Sequence, residues 1–304
     1  MQAIRFHEYG GPETLRFDTG VPEPPLGERT VLIAATAAGV NPIDWKVRSG
    51  ARRQDFPLTL PAIPGRDVSG IVRAVGPGVR NFRPGDRVVA CAEATYAELV
   101  AVEEAVLTHV PDGLDLADAA AIPLAVLTGD QLVRVAARVT PGQRLLVTGA
   151  LGSVGRAAVH AARKLGASVI AGVRRRQVTE AAALGVADVL AMDDEREVAR
   201  LQTLDAVADT VGGTAAAVFV AKVRPGGCFA YASVLPEGLV TRYPAVRIAR
   251  VFARPDASKV REFADDVRDG RFLLPIGRRL ALREAAQAHV LGERGGVGKI
   301  ILLV

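Results

Sequence analysis

Cysteine is nearly absent. The 304 residues contain two, Cys91 and Cys228, with no CxxC spacing. They cannot build a disulfide framework or a thiolate zinc cluster, and burial as small apolar residues is their expected fate. The four histidines (His7, His109, His160, His289) form no paired motif, so imidazole ligands for a metal are missing as well. Aromatics are 5% of a chain that is 49% hydrophobic, which leaves alanine, valine and leucine to fill the core. Lysine supplies five of the 38 cationic residues. The net charge of +5 is scattered, with no long basic arm and no interleaved aromatics, which argues against nucleic-acid binding. A basic surface can still steer an anionic cofactor. No apolar run reaches the roughly 20 residues of a bilayer span, and no membrane partner is expected. The opening MQAIRFHEYGG is charged and alternating, unlike a secretion signal. A cytoplasmic protein of two domains is the expectation.

What is present is organised around Leu145–Ala167. Leu145, Leu146 and Val147 read as a strand buried on both faces. Gly149, Gly152 and Gly155 follow at spacing three. Val154, Ala158, Ala161, Ala162 and Leu165 then share one helical face, and Gly166 offers a left-handed cap. Ser168–Val173 is a second strand, which completes a βαβ unit. Pyrophosphate must approach bare backbone at a helix N-terminus, and G-x-G-x-x-G permits it. Here Ala150 stands in the first glycine's place, with Gly149 before it, so Gly149, Ala150, Gly152, Ser153, Val154 and Gly155 are candidate cofactor residues.

The end of the second strand bears on the choice of cofactor. An acid there holds the ribose 2′-OH of NAD. Arg156–Thr179 contains no Asp or Glu, and Arg174, Arg175 and Arg176 stand in a row. Guanidinium groups match a 2′-phosphate, so NADPH is expected, although three arginines also suit a solvated loop.

Residues 1 to about 115 read as short strands punctuated by Gly and Pro: Gln2–Phe6, Leu15–Phe17, Val31–Ala38, Ile71–Val75, Arg87–Ala90, Tyr96–Val102 and Val106–Val110. Asp115 can cap a helix that Pro123 interrupts, and a second helix runs from about Thr128 to Ala137. Strands and helices then alternate: Val186–Leu190, Glu195–Leu201, Asp205–Val211, Thr214–Val223, a turn at Arg224–Gly227, Cys228–Val234 and Val246–Phe252. The pattern is a doubly wound parallel sheet. Helices at Asp256–Asp269 and Leu282–Leu291 precede an apolar strand, Ile300–Val304, that can return to the β domain.

GVNPIDWKVRSG (Gly39–Gly50), LPAIPGRDVSGIVRAVGPGVRNFRPGDRV (Leu60–Val88), YAELV (Tyr96–Val100), AAIPLAVLTG (Ala120–Gly129), the Pro141–Ala167 stretch, DTVGG (Asp209–Gly213), RPGG (Arg224–Gly227) and GKIILLV (Gly298–Val304) occur in one order over almost the full length. Together they resemble the medium-chain dehydrogenase/reductase superfamily, in its zinc-free quinone oxidoreductase-like branch. The resemblance implies an α/β protein, with a GroES-like catalytic domain (1–120 with 259–304) and a Rossmann-like dinucleotide-binding domain (121–258). It implies an active site in the cleft between the domains, and a homodimer. The zinc branch has Cys where Asn41 stands and Gly-His-Glu where this chain has Gly65-Arg66-Asp67, so the resemblance implies no metal. Arg66 and Asp67 are expected to pair with each other.

The resemblance also brings Asn41, Asp44 and Lys46 to the nicotinamide end as candidate catalytic residues. Asn41 is expected to bond an acceptor oxygen or the cofactor. Asp44 orders water or its neighbours, or only caps a turn. Lys46 stands where some quinone reductases have tyrosine, and is a proton donor or a surface lysine. Thr128 resembles a cofactor-contacting threonine or caps a helix. Val211, Ala232, Ser233, Val234, Phe252 and Ala253 are assigned to the cofactor by position, since ligands bind at strand carboxyl ends. Without zinc as Lewis acid, hydride transfer to an already electron-poor small molecule, a quinone or an α,β-unsaturated carbonyl, is the expected reaction. An enoyl-thioester reductase and an NADPH-binding sensor with little turnover are the alternatives.

Overall fold

The computed structural model describes residues 1–304. It divides into two compact units, residues 1–124 with 255–304 and residues 125–254. The first unit opens with β1 (Ala3–Phe6), β2 (Leu15–Asp18), β3 (Thr30–Val40), α1 (Pro42–Arg48), β4 (Asp67–Val75), β5 (Arg87–Cys91), β6 (Leu99–Glu103), β7 (Leu107–His109) and α2 (Leu116–Ala119). The chain enters the second unit within α3 (Pro123–Gln131). There follow β8 (Arg144–Thr148), α4 (Ser153–Lys164), β9 (Ser168–Val173), α5 (Val178–Ala182), β10 (Asp188–Ala191), α6 (Glu195–Arg200), β11 (Leu204–Asp209), α7 (Gly213–Val220), β12 (Val223–Tyr231), α8 (Leu239–Arg242) and β13 (Arg247–Arg250). The first unit is then completed by α9 (Ala257–Arg268), β14 (Ile276–Ala281), α10 (Ala285–Arg294) and β15 (Lys299–Leu303).

In the first unit, β1 and β2 pair as an antiparallel ribbon, and a larger sheet runs β14-β15-β3-β4-β5-β7 with β6 also on β3. The apolar C-terminal strand does return: β15 lies antiparallel to β3, with Ile300 opposite Val40. Gly39 faces Asp67 across the β3–β4 pair. A Cβ at Gly39 would lie 2.3 Å from the Ala120 carbonyl and 2.8 Å from the Asp67 carboxylate, so only glycine lets β4 bring Asp67 this close. Val31, Ile33, Val68, Val88 and Val100 fill one core. Ile4, Phe6, Tyr96, Ile300 and Leu302 fill the other with Ala285 and Ala288 of α10.

In the second unit six strands are parallel in the order β10-β9-β8-β11-β12-β13. Strand order reverses between β8 and β11, which makes their carboxyl ends the switch point. Leu145, Leu146 and Val147 are fully buried. Leu145 and Val147 pack with Ala158 and Ala162 of α4, while Leu146 packs on the other face with Val207, Phe219 and Phe229. A strand covered on both faces has no reason to alternate with polar residues.

Three local readings change. Pro123 opens α3, where its missing N–H is needed least, and does not interrupt a helix. The Arg224–Gly227 turn lies inside β12, at an irregularity in its pairing with β11. That strand ends at Tyr231, so Ala232–Val234 leave the sheet. The Leu116–Ala137 stretch has a mean hydropathy of 1.3, but 72% of its most apolar window is buried within the protein, as in a core helix.

Candidate functional site

The second unit gathers its candidates at the carboxyl ends of the sheet. Gly149 follows β8 with φ +64, and a Cβ there would meet Thr210 Oγ1 at 2.5 Å and Val211 Cγ2 at 3.1 Å. Gly155 lies one turn into α4, and a Cβ on it would lie 2.1 Å from the Gly149 carbonyl oxygen. The third glycine therefore lets α4 sit directly on the turn. Gly152 is the N-cap and no side chain caps the helix. The first N–H groups of α4, at Ser153 and Val154, have no partner within an α-helix and face the positive end of its dipole. Ala150 is fully buried, with its N–H bonded to the Gly172 carbonyl, so it holds the turn to β9.

A buried carboxylate, Asp209, ties three of these loops together. Its Oδ1 accepts from Thr148 Oγ1 at 2.6 Å and from the Val211 N–H, and its Oδ2 accepts from Ser233 Oγ at 2.9 Å. Thr210 closes the brace, its hydroxyl on the Thr148 carbonyl at 2.7 Å. The Gly213 N–H donates to the Val234 carbonyl at 3.0 Å. Gly149, Val211, Ala232, Ser233 and Val234 are thus brought together. Val211, Val234 and Phe252 are 49%, 63% and 49% exposed, an apolar rim just past β11, β12 and β13. Phe252 lies under the Arg250 guanidinium at 4.3 Å, and Ala253 follows it half-buried. Thr128 adjoins Gly129, where a Cβ would lie 2.5 Å from the Val154 carbonyl, so α3 sets Thr128 beside the start of α4.

The three arginines after β9 are not equivalent. Arg174 and Arg176 are exposed. The Arg175 guanidinium is engaged by Asp194 and lies 3.6 Å from Glu197. Of the three candidates for a phosphate, Arg175 is already ion-paired, which leaves Arg174 and Arg176 with the more open guanidinium groups. The bare helix N-terminus, the open glycine turn and these two cations fit the diphosphate and ribose end of a nicotinamide dinucleotide.

The first unit treats its candidates differently. Asn41 is 4% exposed and both hydrogens of its amide are used, on Asp67 Oδ2 at 2.8 Å and the Gly39 carbonyl at 3.3 Å. Its Oδ1 accepts from Lys299 Nζ at 2.6 Å. Asn41 is therefore a buried brace, and the expected bond to an acceptor oxygen has no free hydrogen to form it. Asp67 is paired with Lys299 at 3.1 Å, and Arg66 turns to Glu93 and stacks on Phe56. The expected Arg66–Asp67 pair is not formed: Arg66, in the bend before β4, takes Glu93, while Asp67, the first residue of β4, is buried against Lys299.

Asp44, 2% exposed, accepts on Oδ2 from the Asn41 N–H at 2.8 Å and from Tyr96 Oη at 2.9 Å, while Oδ1 has no partner. Burial pushes its carboxyl up to about 7, with Asp67 adding to the rise and the two hydrogen bonds and Lys299 opposing it. His289 lies behind Tyr96, with Nε2 3.4 Å from Tyr96 Oη. Arg48 can only donate, so its contact to His289 Nδ1 at 3.0 Å fixes the imidazole hydrogen on Nε2. Burial, aided by Arg48, holds His289 down to about 3. Donation thus runs from Arg48 to His289 to Tyr96 to Asp44, and Glu293 balances Arg48 at 2.7 Å. Lys46 is half-buried on the same short helix. Tyr96, His289, Asp67 and Lys299 were not candidates in the sequence. Their contacts with Asn41, Asp44 and each other span 26 to 258 positions, which no local spacing reveals.

Residues 27–112 match the alcohol dehydrogenase GroES-like domain, and residues 179–302 match the zinc-binding dehydrogenase family. Quinone oxidoreductase of Sus scrofa is 31% identical over 325 residues, covering 100% of this chain and 98% of that one. The chloroplastic NADPH-dependent alkenal/one oxidoreductase of Arabidopsis thaliana is 35% identical over 244 residues, covering 75% of this chain and 61% of that one. The solved quinone oxidoreductase of Coxiella burnetii superposes with a TM-score of 0.89 at 28% identity, covering 100% and 99% of the two chains. A mycobacterial protein complexed with NADPH superposes at 0.85 with 30% identity over the whole of both chains. The fold is thus that of an oxidoreductase built from a GroES-like unit and a Rossmann-like unit. The chain belongs to the medium-chain dehydrogenase/reductase superfamily, in its quinone oxidoreductase-like branch.

Zinc, which one of these family descriptions carries, does not fit the residues present. No group of three His, Cys, Asp or Glu converges anywhere in the chain. The oxygens of Asn41 and Asp67 face an ammonium, which would repel a second cation.

Proposed function

We propose that the protein transfers hydride from NADPH to a small electron-poor acceptor, a quinone in preference to an α,β-unsaturated carbonyl. The observation that carries the cofactor is the pairing of a bare glycine turn at the switch point with a strand end that has no acid of its own and bears Arg174 and Arg176. NADPH, when bound, supplies the hydride. The Ser153 and Val154 N–H groups bind the diphosphate, and Arg174 and Arg176 take the 2′-phosphate. Val211, Val234 and Phe252 shield the nicotinamide ring from water, and the Asp209 brace keeps the loops of Val211 and Val234 in register. Names carried by relatives, quinone oxidoreductase and alkenal/one oxidoreductase, point to the same acceptors. The segment Asn41–Arg48 is assigned to the acceptor side by the family resemblance alone.

The preference for quinones follows from protons. A reduced quinone takes its protons on oxygen, from water, whereas a conjugated alkene needs one placed on carbon. Asp44, the acid with the raised pKa, is 2% exposed and turned inward to Tyr96. The test is NADPH consumption, followed by absorbance, with 1,4-benzoquinone, 9,10-phenanthrenequinone, an enone and an enoyl thioester. Quinone-dependent oxidation unaffected by chelator is expected. Tight NADPH binding with no oxidation by any acceptor would contradict the reading and favour a sensor.

A further inference from the structure

We propose that Lys299 is a positioning residue for the Asn41–Arg48 segment, its ammonium fixing the Asn41 amide against Asp67 and so setting the entry of α1. The proposal rests on the reading above only where it assigns that segment to the acceptor side. Lys299 is 4% exposed, opens β15, and lies 258 positions from Asn41. An ammonium can only donate, so the Asn41 carbonyl oxygen must face it, and the amide hydrogens must face Asp67 and Gly39. One orientation of the amide is left. An asparagine at a helix N-cap ordinarily turns its side chain onto the first-turn N–H groups. Asn41 is the N-cap of α1 and makes no such side-chain bond. The Asp67–Lys299 pair has drawn it away, and the main chain of Asn41 holds α1 instead: its carbonyl accepts the Asp44 N–H at 2.9 Å and its N–H donates to Asp44 Oδ2. Asp67 Oδ1 meanwhile accepts from the Leu124 N–H at 2.8 Å, anchoring the start of α3.

The charges around Asp44 give the proposal a signed readout. Asp67 from β4, Lys299 from β15, Tyr96 before β6, Cys91 of β5, His289 of α10 through Tyr96, and Arg48 of its own helix are the titratable or charged groups that surround it. Asp67 pushes its carboxyl up and Lys299 holds it down. The protonation of Asp44 is read from the infrared band of its carboxylic acid, assigned by its loss in Asp44→Asn. Exchange of the Asp44 amide hydrogen is measured alongside, on the full chain without cofactor. Lys299→Met is expected to shift the titration upward by about one pH unit and speed amide exchange by about tenfold. Lys299→Arg is expected to restore both, and Asp67→Asn to shift the titration downward. Shifts of one sign in Lys299→Met and Asp67→Asn, or unchanged amide exchange in Lys299→Met, overturn the proposal. Should Lys299→Met fail to fold, Lys299→Arg and Asp67→Asn decide: an unmoved titration in Asp67→Asn overturns it. A failed reductase reading would show as absent NADPH turnover, which none of these readouts uses.

Discussion

The two units handle their chemistry-bearing residues in opposite ways. In the 125–254 unit the candidates are glycines, free main-chain N–H groups, exposed arginines and exposed apolar side chains, and one buried carboxylate, Asp209, braces the loops after β8, β11 and β12. In the other unit the candidates Asn41 and Asp44 are themselves buried and bonded to Asp67, Lys299 and Tyr96. The first arrangement leaves bonds open for a ligand. The second spends them internally, which fixes geometry and shifts pKa values but leaves little to offer a substrate. Changes in the first unit should therefore register in stability and pH dependence, and changes in the second in ligand binding.

The largest expected effect on ligand binding comes from breaking the glycine turn. Gly155→Val would drive a Cβ to within 2.1 Å of the Gly149 carbonyl, and α4 would have to move. NADPH affinity should fall by about 100-fold or more, roughly 3 kcal/mol, in a fluorescence titration. The largest expected effect on stability comes from Lys299→Met, which leaves Asp67 buried without its cation. A loss of roughly 3–5 kcal/mol is expected in denaturant unfolding, with NADPH affinity unchanged in the folded fraction.

The buried network also gives a pH signature. Asp44 is raised to about 7, so the folded state holds a proton that the unfolded chain releases near 4. Its stabilisation is full below about 4 and is lost as pH rises to 7. His289 is lowered to about 3, so the unfolded chain takes up a proton near 6.5 that the folded state refuses. Its contribution is lost as pH falls from about 6.5 to 3. Between about pH 4 and 6.5 the two slopes have opposite signs and cancel. In Asp44→Asn the His289 slope stands alone, and stability should rise by roughly 1.4 kcal/mol per pH unit across that window. A slope no different from the parent's would show that the network does not hold the two groups as described.

Arg174→Ala combined with Arg176→Ala should weaken NADPH by about tenfold, roughly 1.4 kcal/mol, and barely alter NADH, in parallel titrations. Arg175→Ala is the smallest change. It removes an exposed ion pair with Asp194, and the melting temperature is expected to stay close to the parent's.

The same contrast explains what the sequence made legible. Leu145–Ala167 announced strand, turn and helix because contiguous residues carry each signal, and the switch point follows from the alternation around it. Helix α1 is not legible because the seven residues from Pro42 to Arg48 are too few to show a period. The narrowing from three arginines to two needed Asp194, which lies 19 positions away in a different loop. The reversal of Asn41 from ligand to brace required Lys299, which the sequence offers only as one residue of the C-terminal GKIILLV. Local motifs reveal surfaces that bind, whereas a buried network closed by the fold becomes visible only when distant strands meet.

The proposed choice of NADPH over NADH rests on the strand end after β9. Dissociation constants of NADPH and NADH, measured side by side for the parent and for the Arg174→Ala, Arg176→Ala double variant, test it most directly. NADPH is expected to bind at least about tenfold tighter than NADH in the parent, with most of that preference gone in the variant. Equal affinities in the parent, or a preference that survives loss of both arginines, would contradict it.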